Sequence, residues 1–227
     1  MKEGPVAIVS GAASGIGRHM AVSLQRAGYR LMLIDLDEEG LREVAHGSAW
    51  RAMDVRDAAG WERVVADTVA GYGRLDLMLN VAGFLKPGHV HEVSAELLAQ
   101  HMDVNAKGVM FATRAGARQM VAQRAGQIVN VASIAGLSHV PGLAAYAASK
   151  HAVRGFSLSV AHELRRHGVY VSVLCPDAVE TPMLTLQETY SEARMTFASR
   201  RALSLDEVEQ AIQRLLRTRE LELVLDV

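Results

Sequence analysis

The residues predict an α/β protein of one domain, doubly wound, with a parallel sheet of about seven strands and helices on both faces. Three observations point there. Apolar runs of strand length alternate with amphipathic helical stretches along the whole chain. The first of these runs passes through a glycine-rich turn straight into a helical pattern. No repeat, low-complexity tract or linker divides the 227 residues, a length that suits one substantial domain, 1–227.

In chain order the strand-like runs are 6–9, 30–34, 49–53, 75–80, 128–131, 170–174 and 221–225. They are nearly continuous in Val, Ile and Leu, the pattern of strands covered on both faces. Helical periodicity marks 16–27, 38–45, 58–72, 95–104, 106–123, 146–167 and 204–217 between them. Strand, helix, strand in succession implies right-handed crossovers and therefore parallel neighbours. Two connections, 133–145 and 177–202, are longer than such units require, and long connections tend to carry binding loops. The second spaces Leu184, Leu186, Tyr190, Met195 and Phe197 at partly helical intervals. It reads as a substrate loop or lid over an apolar ligand, with a structural surface helix as the alternative.

Composition narrows the partners. Half of the residues are hydrophobic, 22% are charged and the net charge is -1, so no basic face is expected for nucleic acid or an anionic membrane. A strand pattern begins within a few residues of Met1, leaving no room for a signal peptide, and no apolar run spans a bilayer. The expected compartment is the cytoplasm. Cys175 is the single cysteine, which excludes an intrachain disulfide; at the end of an apolar run it is expected to be a small core residue. His89, His91 and His139 make no convincing ligand set, and no metal is expected.

After the first strand, Gly11, Ser14, Gly15, Ile16 and Gly17 form a turn that opens a helix. Glycines there allow backbone N–H groups to approach a pyrophosphate, whose charge suits a helix N-terminus. Asp35 ends the second strand, where a carboxylate accepts hydrogen bonds from an adenosine ribose and repels a 2′-phosphate. Ser14 is neutral and Leu36 brings no cation, so NAD is favoured over NADP. The competing reading of Asp35 is a helix N-cap or turn residue. Asp54 and Val55 after the third strand, with Asn80, Ala82 and Gly83 after the fourth, are further candidates for cofactor contact.

Tyr146 and Lys150 stand four residues apart on one helical face. A free phenol has a pKa of about 10, so general-base work near neutrality needs about 4 kcal/mol of help, much of which a fixed cation can supply. By itself the pair would read as a solvated surface couple. Ser133 alters that reading, because it ends the apolar run 127–133 where an open α/β sheet has its ligand crevice.

Gly11, Gly15 and Gly17, Asp35, Asp54-Val55, Asn80-Val-Ala-Gly83, Asn105, Ser133, Tyr146-x-x-x-Lys150, and Pro176 followed by Thr181 together resemble the short-chain dehydrogenase/reductase family over about residues 6–181. The resemblance implies a Rossmann fold and hydride transfer between nicotinamide C4 and the carbon of a ketone or secondary alcohol, a small-molecule substrate. It gives Tyr146 the general acid/base role. Lys150 would lower the Tyr146 pKa and bind the nicotinamide ribose, Ser133 would orient the reacting oxygen, and Asn105 would hold a water linking Lys150 to solvent. Pro176, Val179 and Thr181 would add cofactor contacts. Helices near 106–123 and 146–167 would build a homodimer or homotetramer.

The chain departs from the family pattern at Val81, where Asn is common, at Asp177, where Gly is common, and in lacking a Gly-rich ending. Asp accepts a left-handed turn better than most residues. Directed at the nicotinamide, the Asp177 charge would favour the oxidised ring by about 1 kcal/mol; facing solvent, it would do nothing. Phe84, Leu85, Ile134, His139, Val140, Met183 and Tyr190 are candidates for an apolar substrate pocket. Two rivals remain: a catalytically inactive nucleotide-binding redox sensor of the same fold, and a doubly wound methyltransferase. Neither needs Ser133, Tyr146 and Lys150 together.

Overall fold

The computed structural model of the chain describes residues 4–198 and 200–226. Seven strands form one sheet: β1 (Val6–Ser10), β2 (Arg30–Asp35), β3 (Ala49–Ala52), β4 (Leu77–Asn80), β5 (Gly126–Val131), β6 (Val169–Pro176) and β7 (Glu222–Leu225). Their order is β3-β2-β1-β4-β5-β6-β7, and every pairing is parallel. The chain winds outward from β1 in both directions, so a crevice opens at the carboxyl ends of β1 and β4. Register sets what meets there: Ser10 lies opposite Ile34 on one side and Asn80 on the other.

Alternation along the strands builds two cores. Ala7, Val9, Leu31, Leu33, Leu77 and Leu79 face α1 (Gly15–Arg26), α2 (Glu38–Ala45) and α8 (Leu205–Thr218). Ile8, Met32, Ile34, Met78 and Ile128 face α3 (Ala58–Tyr72), α5 (Gly108–Gln123) and α6 (Ala144–Arg165), with Trp61 fully buried among them. Helix starts follow their side chains. Asp37, Asp57 and Ser94 accept from the N3 backbone N–H of α2, α3 and α4 (Ala95–His101), and Ser204 with Glu207 makes a full capping box on α8.

The structure differs from the sequence expectation in places. Helices expected at 95–104 and 106–123 are one continuous rod, because α4 passes through a π-helical turn, Met102–Lys107, directly into α5. The fourth strand begins at Leu77, since the side chain of Gln123 takes both the N–H and the C=O of Leu75 at 3.0 and 2.8 Å. Asp177 is not left-handed; among described non-glycine residues only His46, Arg124 and Arg219 have positive φ, so the turn after β6 has no need of glycine. Most of the connection 177–202 is helical, with α7 (Pro182–Glu188) and a 3-10 segment, Ser191–Phe197, and a parallel bridge from Val179 to Leu203 draws its ends together. Residue 199 of that connection, and residues 1–3 and 227 of the expected domain, lie outside the described residues. No helix among the described residues is long and apolar enough to cross a membrane.

Candidate active site

The crevice begins where β1 and β4 end. Gly11 has φ +69°, and a Cβ there would stand 2.9 Å from the Ala82 Cα, so the two turns touch only because Gly11 has no side chain. Ser10 Oγ accepts from the Val81 and Ala82 N–H groups at 3.1 and 3.3 Å, fixing one turn to the other. Gly17 does not border the cleft; a Cβ on it would collide with the Gly11 carbonyl. Ser14 occupies the N-cap of α1 without a side-chain cap bond, and Gly15 lies against Thr181, whose methyl would be 3.2 Å from an added Cβ. Ile16 borders the same end.

The Asp35 carboxylate accepts from Ala13 N–H at 3.0 Å and from Leu36 and Asp37 N–H at 2.7 and 3.1 Å. It thereby ties the glycine turn to the end of β2 and still borders the cleft, so its turn role and its proposed ligand role coexist. Asp54 is held by the Arg56 guanidinium at 2.6–3.0 Å, which keeps its carboxyl below the usual range. Sequence reasoning missed Arg56. The pairing of β2 with β3, Asp35 opposite Ala52, brings this cation to the same cleft as Asp35. Val55 lines the same end.

Asn80 is corrected by the structure. Its side chain is 2% exposed and points into the interior, where it donates to Asn130 at 2.8 Å and Thr113 at 3.3 Å; it does not border the cleft. The reason is the strand pleat, which turns position 80 toward α5 and leaves Val81, Ala82 and Gly83 to face the crevice. Asn105, fully buried in the π turn, also stands behind the wall. Its Oδ1 accepts from Phe84 N–H at 2.6 Å, and its Nδ2 donates to the Phe84 carbonyl at 2.8 Å and to Ser149 Oγ at 3.0 Å. His101, which sequence reasoning did not single out, holds the next stretch by accepting from Lys86 N–H at 3.2 Å.

Ser133, Tyr146 and Lys150 converge at mid-cleft. Ser133 caps a 3-10 turn, Ile134–Gly136, accepting from Ala135 N–H at 3.1 Å. Tyr146 and Lys150 stand one helical turn apart on α6 and are 9% and 4% exposed. Lys150 Nζ donates to the Val131 carbonyl at 3.0 Å and sits 5.6 Å from the centre of the Tyr146 ring. Burial pushes the phenol up to about 12, with Ser133 pulling the other way; burial pushes the ammonium down to about 8. Burial therefore outweighs the Ser133 hydrogen bond, and the tyrosine keeps its proton at neutral pH.

The whole cleft encloses about 570 Å³. Asp35, Asp54 and Arg56 border its first end, while Lys150, Pro176, Asp177 and Val179 border its middle. Asp177 Oδ1 accepts from Ala178 N–H at 2.8 Å. At the other end Phe84, Leu85, Ile134, Val140 and Met183 line the wall with His139, as the sequence suggested. Leu143, Leu184 and Met195 add to that apolar surface, whereas Tyr190 does not border the cleft. Cys175 is a core residue with its thiol pushed up to about 11 by burial.

Residues 5–191 match the family model described as short chain dehydrogenase. The chain is 36% identical over 190 residues to the 2-(R)-hydroxypropyl-CoM dehydrogenase of Xanthobacter autotrophicus, covering 78% of this chain and 76% of that one. It is 33% identical over 185 residues to the diacetyl reductase [(S)-acetoin forming] of Staphylococcus epidermidis, covering 78% and 72%. Among solved structures, a short chain dehydrogenase from Mycobacterium paratuberculosis bound to NAD superposes with a TM-score of 0.89 at 26% identity, over 99% of this chain and 97% of that one.

Proposed function

Because the chain belongs to the short-chain dehydrogenase family, we propose that it is a nicotinamide-dependent oxidoreductase that interconverts a secondary alcohol and its ketone, prefers NAD to NADP, and moves the accompanying proton through Tyr146. The observation that carries this reading is the meeting of Ser133, Tyr146 and Lys150 in one cleft, with a phenol and an ammonium both buried. Burying such groups costs stability, and a redox sensor or methyltransferase would gain nothing from it.

The residues present fit a dinucleotide. Gly11 borders the cleft with bare backbone, and the N-terminus of α1 has no side-chain cap to compete with a phosphate. The same end of the cleft holds Asp35, whose charge disfavours a 2′-phosphate; among the described residues the cation that borders this end, Arg56, is already engaged by Asp54. Gly11, Ser14, Gly15, Ile16 and Thr181 would hold the pyrophosphate end, Asp35, Asp54 and Val55 the adenosine, and Ala82, Gly83, Tyr146, Lys150, Pro176 and Val179 the nicotinamide side. When bound, the cofactor supplies or accepts the hydride.

Every other step belongs to the chain. Ser133 and Tyr146 hydrogen-bond the substrate oxygen, Tyr146 Oη gives its proton in reduction and takes one in oxidation, and the Lys150 charge favours the phenolate. The substrate end carries no carboxylate, lysine or arginine among its described residues, so it suits an uncharged, largely apolar ketone. The connection 177–202 closes over it as a lid through Met183, Leu184 and Met195. A homodimer or homotetramer is the proposed assembly.

Tyr146→Phe tests the reading. Turnover of a ketone panel should fall by about 10²–10⁴ while NADH affinity, followed by fluorescence, stays the same. Undiminished turnover would rule out the proton-transfer role, and tighter binding of NADPH than NADH would reverse the cofactor preference.

A further inference from the structure

His101 is the last residue of α4 and is 1% exposed. Its Nδ1 lies 2.9 Å from the Leu97 carbonyl oxygen, and its Nε2 lies 3.2 Å from the Lys86 backbone nitrogen. A carbonyl can only accept and a backbone N–H can only donate. The ring must therefore carry its proton on Nδ1 and a lone pair on Nε2, as a neutral imidazole. Phe84 packs on that ring at 4.9 Å between centroids, tilted by 55°.

Asn105, four residues further along the same rod, takes both backbone polar groups of Phe84. Two side chains of one helix thus hold three backbone groups of the segment 84–86. That segment is part of the cleft: Phe84 and Leu85 line its apolar end, and Leu85 packs in one cluster with Leu143 and Tyr146.

We propose that His101 is a positioning residue for the substrate: its neutral ring anchors the Phe84–Lys86 segment and so fixes the apolar wall that sets the substrate oxygen against Tyr146 and Ser133. The proposal rests on the oxidoreductase reading of the cleft. The anchor has a built-in pH limit. A second proton, on Nε2, would set a ring N–H against the Lys86 N–H and leave that backbone donor without its acceptor. Around the ring, a void of about 10 Å³ separates it from α6, and the titratable side chains bordering it are Lys86 and Tyr146. No carboxylate borders the void among the described residues, so nothing there neutralises an imidazolium, and burial lowers the pKa of the ring. Acidification releases the wall while Tyr146 keeps its proton.

Wild type, His101→Phe and His101→Gln separate this role from mere packing. Phe keeps the ring volume without an acceptor, and Gln places an amide oxygen near the Nε2 position without titrating. Three readouts apply: amide hydrogen exchange at Phe84 and Lys86, NADH affinity, and KM and kcat for cyclohexanone and 2-octanone between about pH 5.5 and 8. In the Phe variant, exchange at Lys86 should accelerate and KM rise about tenfold, with kcat within about twofold and NADH affinity unchanged. The Gln variant should restore KM near neutrality and lose the rise in KM that wild type shows at acid pH. Unchanged Lys86 exchange in the Phe variant overturns the proposal, as does a folded Gln variant that keeps the Phe variant's KM. Should wild type bind NADH yet turn over neither ketones nor alcohols, the oxidoreductase reading fails by itself, and Lys86 exchange still decides whether His101 holds the segment.

Discussion

Lys150 combines a charge with nearly complete burial, and its hydrogen bond to the Val131 carbonyl replaces only part of the hydration of an ammonium. A pKa pushed from 10.5 to about 8 corresponds to about 3 kcal/mol against the charged form. Below about pH 8 both folded and unfolded chains hold the proton, and the folded chain bears the full penalty. Between about 8 and 10.5 only the unfolded chain still holds it, so this group makes stability rise with pH in that window. Lys150→Met should therefore stabilise the protein by about 1–2 kcal/mol at pH 7, after subtracting the lost bond to Val131, and abolish turnover; denaturant unfolding and assay together check it. Tyr146 shifts in the opposite direction and stays protonated through neutral pH, which agrees with the donor role proposed for it in reduction. Oxidation of an alcohol should accordingly speed up toward alkaline pH, as a kcat/KM profile would record. Tyr146, Lys150, Ser133 and Asp35 were legible as residue types at telling places. Arg56, His101 and the inward turn of Asn80 were not, because each depends on which strand or loop lies alongside.

The rod made by α4, the π turn and α5 is the element that most shapes the wall of the site. Inserting the π turn rotates Asn105 out of the ordinary helical register and buries its amide against Phe84 and Ser149. Periodicity alone suggested two helices, since a π turn breaks the 3.6-residue pattern as a loop would. Asn105→Ala would strand the N–H and C=O of Phe84 and should cost about 2–3 kcal/mol of stability, with KM for ketone rising as the wall loosens; urea unfolding and steady-state kinetics read the two effects. Helix α8 is fixed from both ends of its first turns. Its capping box sits beside a clasp in which His19 Nε2 lies 2.7 Å from Glu209 Oε2, joining α1 to α8. Because α8 follows the connection 177–202, this clasp also anchors the place where that connection returns to the body.

The seven parallel strands bury apolar surface on both faces, which leaves helices as the molecule's outer surface. Met110 and Phe111 on α5 remain half-exposed, on the element proposed to pair with a second copy. Sedimentation equilibrium should return at least twice the 24.5 kDa of one chain, and a monomer at micromolar concentration would contradict the proposed assembly. The doubly wound architecture, the crevice at the glycine turn and the candidates Ser133, Tyr146 and Lys150 were legible in the order of the residues. Those follow from local periodicity and from residue types whose spacing along a strand or helix is set by backbone geometry. Which polar groups face the crevice and which stand behind it was settled by packing. Asn80 and Asn105 turned inward, Arg56 came to the cleft, and His101 became the anchor of the substrate wall. Such outcomes depend on pleat, register and a π turn, which arise when distant segments pack, and no window of neighbouring residues encodes them.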